Sequence, residues 1–381
     1  MSIRTCMYYT NWSVYEPKNH QARDIPLENV TNLFYAFIAM DIDTGKLKFS
    51  DEWADIQKEL DINGVLCKGS LGQIYALKQK FRHTKVSMSI GGWGTSETFV
   101  SIVSDEAKFA NLVASCMFFV SEYGFDGIDV DWEYPQNAVE AARLVELLRR
   151  LRSGLDELET VVNLGSGSML LSIAAPAAPE QASILQASEI DQYVSFWNLM
   201  CYDYTGAWSG QTGYHSNLFG GALSTDLAVK YYIQQGVNPQ KLVIGMPNYG
   251  RGFSGTTREI GNTFNGVGSG SSGDAGVWLY KTLPLPGTTE EFDYRKVSAS
   301  CYEPVQGLLV VYDNQQSAKI KAKYVLSNGL GGAMWWESCG EDYANLERST
   351  LHNFVATLGS DCLERCENNL SYPSSAFLTG V

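Results

Sequence analysis

The chain has 381 residues, 45% of them apolar, and a formal charge of −14 with only 28 Lys and Arg. A large core can therefore form, while a basic footprint for nucleic acid is excluded. No run of about 18 apolar residues occurs, so a membrane-spanning helix is excluded as well. Eight apolar, strand-like runs follow in order, at 5–11, 30–40, 85–91, 124–133, 170–175, 195–202, 241–247 and 331–336. Several are apolar on both faces, as strands of a parallel sheet covered by helices must be. Helical periodicity fits between them at 71–82, 105–123, 138–157, 226–236 and 317–327. Eight strands alternating with helices predict an α/β fold, a (β/α)8 TIM barrel, with a doubly wound open sheet as the alternative.

The alternation breaks at 254–306, which begins Gly- and Ser-rich and then offers short strand-like pieces at 276–281 and 292–298. The expected organisation is a barrel from 1–253 and 307–359, an α+β insertion at 254–306 between strands seven and eight, and a tail at 360–381. The tail is polar, and a partly ordered appendage is expected there. Eight cysteines lack the spacing of a disulfide framework, which favours reduced thiols. Cys362 and Cys366 lie one helical turn apart and could pair or stay free. Residues 1–6 run straight into a strand without an apolar leader. That reads as a cytoplasmic protein, or as a secreted one whose leader was removed.

Splitting the fourth run by strand parity puts Ile128, Val130 and Trp132 on one face. The other face carries Gly127, Asp129, Asp131 and Glu133. Carboxylates spaced ~7 Å apart on one strand face repel each other, so in a semi-buried site at least one keeps its proton near neutrality. Such a group is a general acid in waiting. Asp126 has the wrong parity and reads as a strand-entry residue. An acidic edge strand or a metal site would share the pattern, but no His is close in sequence, and Trp132 and Tyr134 suit a sugar better than a cation. On this pattern alone a metal site stays open.

Asp126-x-x-Asp129-x-Asp131-x-Glu133 followed by Tyr134-Pro135 resembles the signature of the family 18 glycoside hydrolases, the chitinases. Further motifs agree: Ser89-x-Gly91-Gly92-Trp93 ends the third run, and Met200-x-Tyr202-Asp203 ends the sixth. Pro247-x-Tyr249-Gly250-Arg251 ends the seventh, and Met334-Trp335-Trp336 lies in the eighth. The resemblance reaches from Tyr8 to about Gly359, includes the insertion of the deep-cleft subgroup, and implies a chitinase using substrate-assisted, retaining catalysis. Glu133 would be the acid, Asp131 the stabiliser of the charged ring, Asp129 the group behind it, and Tyr202 the holder of the acetamido oxygen. Tyr8, Phe37 and Trp336 would enclose the reacting sugar, with Gly92, Trp93, Tyr134, Met200, Asp203, Tyr249 and Arg251 completing the binding surface. Trp208 would lie on the leaving-group side. The resemblance implies no metal and no organic cofactor; the implied partner is chitin or N-acetylglucosamine oligomers, which an acidic surface tolerates, and a monomer is expected. The alternatives are a sugar-binding lectin and an endo-β-N-acetylglucosaminidase acting on N-glycan cores.

Overall fold

The computed structural model describes residues 2–62 and 65–380; Met1, Asn63, Gly64 and Val381 lie outside the described residues. Eight parallel strands form the centre: β1 (Arg4–Thr10), β2 (Asn32–Met40), β3 (Lys85–Gly91), β4 (Gly127–Asp131), β5 (Leu170–Pro176), β6 (Phe196–Met200), β7 (Leu242–Pro247) and β8 (Gly332–Trp336). Each pairs with its chain neighbours, and β1 pairs with both β8 and β2, so the sheet closes into a barrel and the open-sheet alternative falls. A short strand, Leu47–Phe49, adds antiparallel to β2.

Seven helices of nine residues or more surround the strands among the described residues: α1 (Gly69–Lys80), α2 (Ser96–Ser104), α3 (Glu106–Tyr123), α4 (Ala138–Val161), α5 (Thr225–Gln234), α6 (Gln315–Ser327) and α7 (Thr350–Leu358). The ends of α3 are written in its sequence. The Asp105 carboxylate accepts from the amides of Ala107 and Lys108, and Gly124 ends the helix in the left-handed region at φ 73°. Gly124 is therefore a helix cap and Asp126 a loop residue, which is why β4 starts at Gly127 rather than 124. It also ends early, at Asp131, which leaves Trp132 and Glu133 on the turn that follows.

Apolar side chains sort into two main layers. The larger lies between strands and helices; there Trp335 is fully buried, edge-on to Phe354 at 5.3 Å. A smaller set inside the barrel includes Cys6, Tyr8, Phe34, Phe196 and Met334 and forms the floor under the mouth.

The insertion is a five-stranded antiparallel sheet in the order Val277–Leu279, Tyr249–Phe253, Leu308–Tyr312, Ser298–Glu303, Glu290–Asp293, with one 3-10 turn at Tyr280–Thr282. It thus takes in strands on both flanks of 254–306. The strand expected at 292–298 is a hairpin corner instead. The Asp293 carboxylate accepts from the amides of Arg295 and Lys296 at 2.8 and 3.1 Å, and Val297 has φ 59°.

The tail also differs from expectation: it is packed across the base of the barrel. Leu363 bridges to Ile3, the Asn368 amide group donates to the carbonyls of Phe81 and Thr84, and Tyr372 donates to the carbonyl of Phe125 at 2.6 Å. Its polar side chains thus bond to loop carbonyls at the barrel base. Cys362 and Cys366 are unpaired thiols.

Candidate active site

Asp129 is wholly buried in the barrel and is held from several strands at once. Tyr8 of β1 and Ser89 of β3 each donate to Oδ2 at 2.7 Å, and Ser172 of β5 donates to Oδ1 at 2.6 Å. Asn198 of β6 adds a longer contact of 3.3 Å. The register explains the convergence, because Ser89, Asp129 and Ser172 stand opposite one another on adjacent strands. Burial raises the Asp129 carboxyl above its usual range, and the four donors pull against that rise.

Asp131 comes next towards the mouth. It too is buried, and its Oδ1 has no hydrogen-bond partner. Burial, then the charges of Glu133 and Asp129, push its proton affinity well up. Glu133 lies past the strand and is half-buried; burial first, and then the charge of Asp203, lift it to about 7 while the Tyr134 hydroxyl opposes. The three carboxyls therefore share at least one proton near neutrality, and their titration belongs to the row as a whole. Behind Glu133 the chain is fixed by Trp132, which stacks on Phe99 at 5.0 Å and donates to Ser96. Asp126 takes no part. It is buried below the strand, paired with Lys78 at 2.8 Å and bonded to the amides of Val86 and Asn369.

Trp336, at the end of β8, forms the floor of the cleft. Phe37 stacks against it at 5.7 Å, Tyr8 lies tilted at 5.3 Å, and Trp12 reaches it at 6.5 Å. Tyr8 is only 1% exposed, so it supports this floor and Asp129 rather than facing the cleft. Two glycines make room. A Cβ on Gly91 would lie 2.0 Å from the carbonyl oxygen of Asp131, and one on Gly92, at φ 90°, would lie 2.6 Å from the Phe37 ring. The Ala36–Phe37, Glu133–Tyr134 and Trp336–Glu337 peptide bonds are cis.

Opposite the acid row stands a clamp centred on Asp203. Its carboxylate accepts from the Tyr249 hydroxyl at 2.7 Å and from Arg251 Nε and Nη2 at 2.8 and 2.6 Å. Burial works to raise this carboxyl, but His215 and Arg251 hold it well below the ordinary range, so it stays charged. Tyr202 is next to it, 6.3 Å ring to ring from Tyr249, with its hydroxyl 3.9 Å from the Met334 sulfur. Burial, and then the charges around it, keep the Tyr202 hydroxyl protonated. Met200 closes β6 half-buried. A cavity of about 310 Å³ runs along this wall, lined by Trp12, Asp203, Tyr249, Arg251 and Trp336 and by the insertion at Ser272 and Asp274.

The structure thus gathers Phe37, Asp129, Asp131, Glu133, Tyr134, Tyr202, Asp203, Tyr249, Arg251 and Trp336 about one cleft. Trp93 stands out from it, 83% exposed, and Trp208 is 61% exposed with the Arg251 guanidinium 5.1 Å above its ring. Sequence reasoning left Ser89, Ser172 and Asn198 without roles, although an inward Ser on either neighbouring strand was a signal. It also passed over Glu337, which takes Lys18, Thr10 and Ser13 as partners under Trp12, and His215 beside Asp203. Among the described residues, no group of three or more His, Cys, Asp or Glu side chains is arranged to hold a metal ion.

The chain is similar to known proteins over most of its length. The sporulation-specific chitinase 2 of Saccharomyces cerevisiae is 40% identical over 389 residues, covering 91% of this chain and 76% of that protein. Chitinase 1 of Aphanocladium album is 37% identical, covering 97% of this chain and 88% of its own length. Among solved structures, chitinase ChiA74 from Bacillus thuringiensis superposes with a TM-score of 0.85 at 26% identity, over 94% of this chain and 70% of that one. Residues 4–342 match the family described as Glycosyl hydrolases family 18, and the chain belongs to it.

Proposed function

We infer that the chain is a chitinase that hydrolyses the β-1,4 linkages between N-acetylglucosamine units, with the substrate's own acetamido group as nucleophile. The observation that carries the mechanism is the division of labour across the cleft. On one side is a carboxyl poised to give a proton, and on the other is a charged clamp with no free carboxylate positioned to attack carbon. Glycosidases that work through two carboxylates need the second one at the anomeric centre. Here Asp131 is buried behind Glu133, and Asp203 is paired with Arg251 and accepts from Tyr249.

In the proposed cycle the reacting sugar lies on Trp336. The acetamido oxygen attacks the anomeric carbon while Glu133 gives its proton to the departing glycosidic oxygen, leaving a bicyclic oxazolinium. Asp131 then stabilises the positive ring and Asp129 steadies Asp131 from behind. Tyr202 and Asp203 hold the acetamido group in attack geometry, where positioning alone is worth about 7–11 kcal/mol. Glu133, now ionised, takes a proton from water as that water opens the ring, and the β-configuration is retained. Exposed Trp93 and Trp208 offer flat faces to sugars on the leaving-group side.

Cleavage of partly acetylated chitosan tests this. Every new reducing end should be N-acetylated, and the first product should be the β-anomer. Glucosamine at reducing ends in proportion to the polymer's composition would refute the mechanism.

A further inference from the structure

One polar side chain beside the clamp has no hydrogen bond to account for it. His215 is 0% exposed, and neither Nδ1 nor Nε2 has a partner. Polar atoms so deep are paired in the great majority of cases, so an orphan imidazole points to a partner gained through a small movement. That partner is at hand, because Nδ1 lies 3.6 Å from Asp203 Oδ1, just beyond bonding range.

The backbone carrying the ring is held in place. The His215 carbonyl accepts from the Tyr204 amide at 3.1 Å. The next residue, Ser216, donates to Asp313 at 3.0 Å, and its carbonyl accepts from Lys321 at 2.8 Å. Lys321 and Asp313 are themselves a fully buried ion pair. The imidazole also lies against Tyr249, with ring centres 5.2 Å apart. Closing the gap therefore falls to Asp203, which sits on left-handed backbone at φ 59°.

We propose that His215 is a positioning residue for the acetamido clamp: its Nδ1–H closes onto Asp203 Oδ1 when substrate engages the carboxylate, and fixes it together with Tyr249 and Arg251. The charged and titratable groups facing the ring are Asp203, Arg251 and Tyr249 on the cleft side and Asp313, with its partner Lys321, behind. Burial keeps the imidazole neutral, so it serves as a donor without changing charge. A loosened Asp203 would also raise Glu133 less, since the charge of Asp203 contributes to that rise. The second effect is one that a packing role would not produce.

The inference rests on the reading of Asp203 as the acetamido clamp, and the experiment separates the two. A thiazoline mimic of the bicyclic intermediate is titrated into the wild type with ¹⁵N-labelled histidines. Only four histidines need assignment. Binding of the mimic supports the clamp; failure to bind overturns the clamp and this inference with it. On binding, the Nδ1 resonance of His215 should move to that of a hydrogen-bonded N–H, and an unchanged resonance with the mimic bound overturns the inference alone. His215→Phe, a ring without nitrogen, should lower kcat and affinity for the mimic by about tenfold or more, the scale of one hydrogen bond to a charged group. It should also move the alkaline limb of kcat to lower pH. His215→Asn, whose amide nitrogen stands near the place of Nδ1, should restore most of the loss. Wild-type kcat and an unmoved limb in His215→Phe would overturn the inference, and if that variant does not fold, the wild-type resonance decides.

Discussion

The Tyr8 hydroxyl donates to the Asp129 carboxylate across 2.7 Å, tying the first barrel strand to the fourth at the base of the acid row. Tyr8 at the same time lies under Trp336, so one side chain supports both the acids and the sugar floor. Tyr8→Phe keeps the ring and removes the donor. One hydrogen bond to a charged group is worth about 1.5–3 kcal/mol, so kcat should fall about tenfold or more. Steady-state kinetics on a chitin oligomer check this, and an unchanged kcat would detach Asp129 from the chemistry.

In the proposed cycle Glu133 protonates the leaving oxygen. General acid catalysis contributes about 10²–10⁴ in rate, so Glu133→Gln should lose at least that factor while binding chitin oligomers as before. Calorimetric titration alongside a turnover assay separates the two quantities. Near-normal turnover would remove Glu133 from the mechanism.

The pH profile follows from the same residue. A general acid must be protonated, and burial and Asp203 push Glu133 up to about 7. Activity should therefore fall as pH rises through that region. Coupling between neighbouring carboxyls is mutual: the Glu133 charge raises Asp131, so the Asp131 charge raises Glu133. Asp131→Asn removes that charge, which makes Glu133 a stronger acid. The alkaline limb should move to lower pH, with a loss of rate on top. A limb that stays in place would show that the two groups are not coupled.

Below the site, Lys78 and Asp126 form an ion pair with about 1–2% exposure. Removing one partner of such a pair leaves the other charge buried, at a cost of about 3–5 kcal/mol. Lys78→Met should lower the unfolding free energy by about that much, while kcat at low temperature stays near wild type because Asp126 touches none of the reacting groups. Denaturant unfolding with parallel kinetics tests it. A large loss of kcat in folded protein would mean that the base of β4 controls the acids above it.

The alternation of apolar runs made the barrel legible, and strand parity picked out Asp129 and Asp131. Glu133 fell in the same row although it stands past the end of β4, because the turn keeps it on the side that parity assigned. What the sequence hid was register. Nothing local places Ser89 and Ser172 level with Asp129, since that alignment depends on how far neighbouring strands are staggered in a closed barrel. The tail was misread for a related reason. Asn368 and Tyr372 look like solvent-facing residues, yet their donors meet carbonyls at the barrel base more than 240 positions away. His215 in a Gly- and Ser-rich loop likewise carried no signal until the loop was placed beside Asp203.

The last prediction concerns Gly92, which was expected to line the binding surface and which the structure places against Phe37. A Cβ there would sit 2.6 Å from the Phe37 ring, and the ring already stacks on Trp336. The backbone at φ 90° adds strain for any other residue, of order 1–3 kcal/mol. Gly92→Ala should therefore act twice, lowering the melting temperature and pushing Phe37 into the space above Trp336 where the proposed cycle puts the reacting sugar. The second effect is distinguishable, because replacing Phe37 with Leu in the same protein frees the space while leaving the backbone strain. Gly92→Ala alone should lose kcat/KM on chitin oligomers, and the Phe37→Leu double variant should recover part of that loss without recovering the melting temperature. If the double variant restores neither or both together, the clash with Phe37 is not what makes glycine necessary at this position.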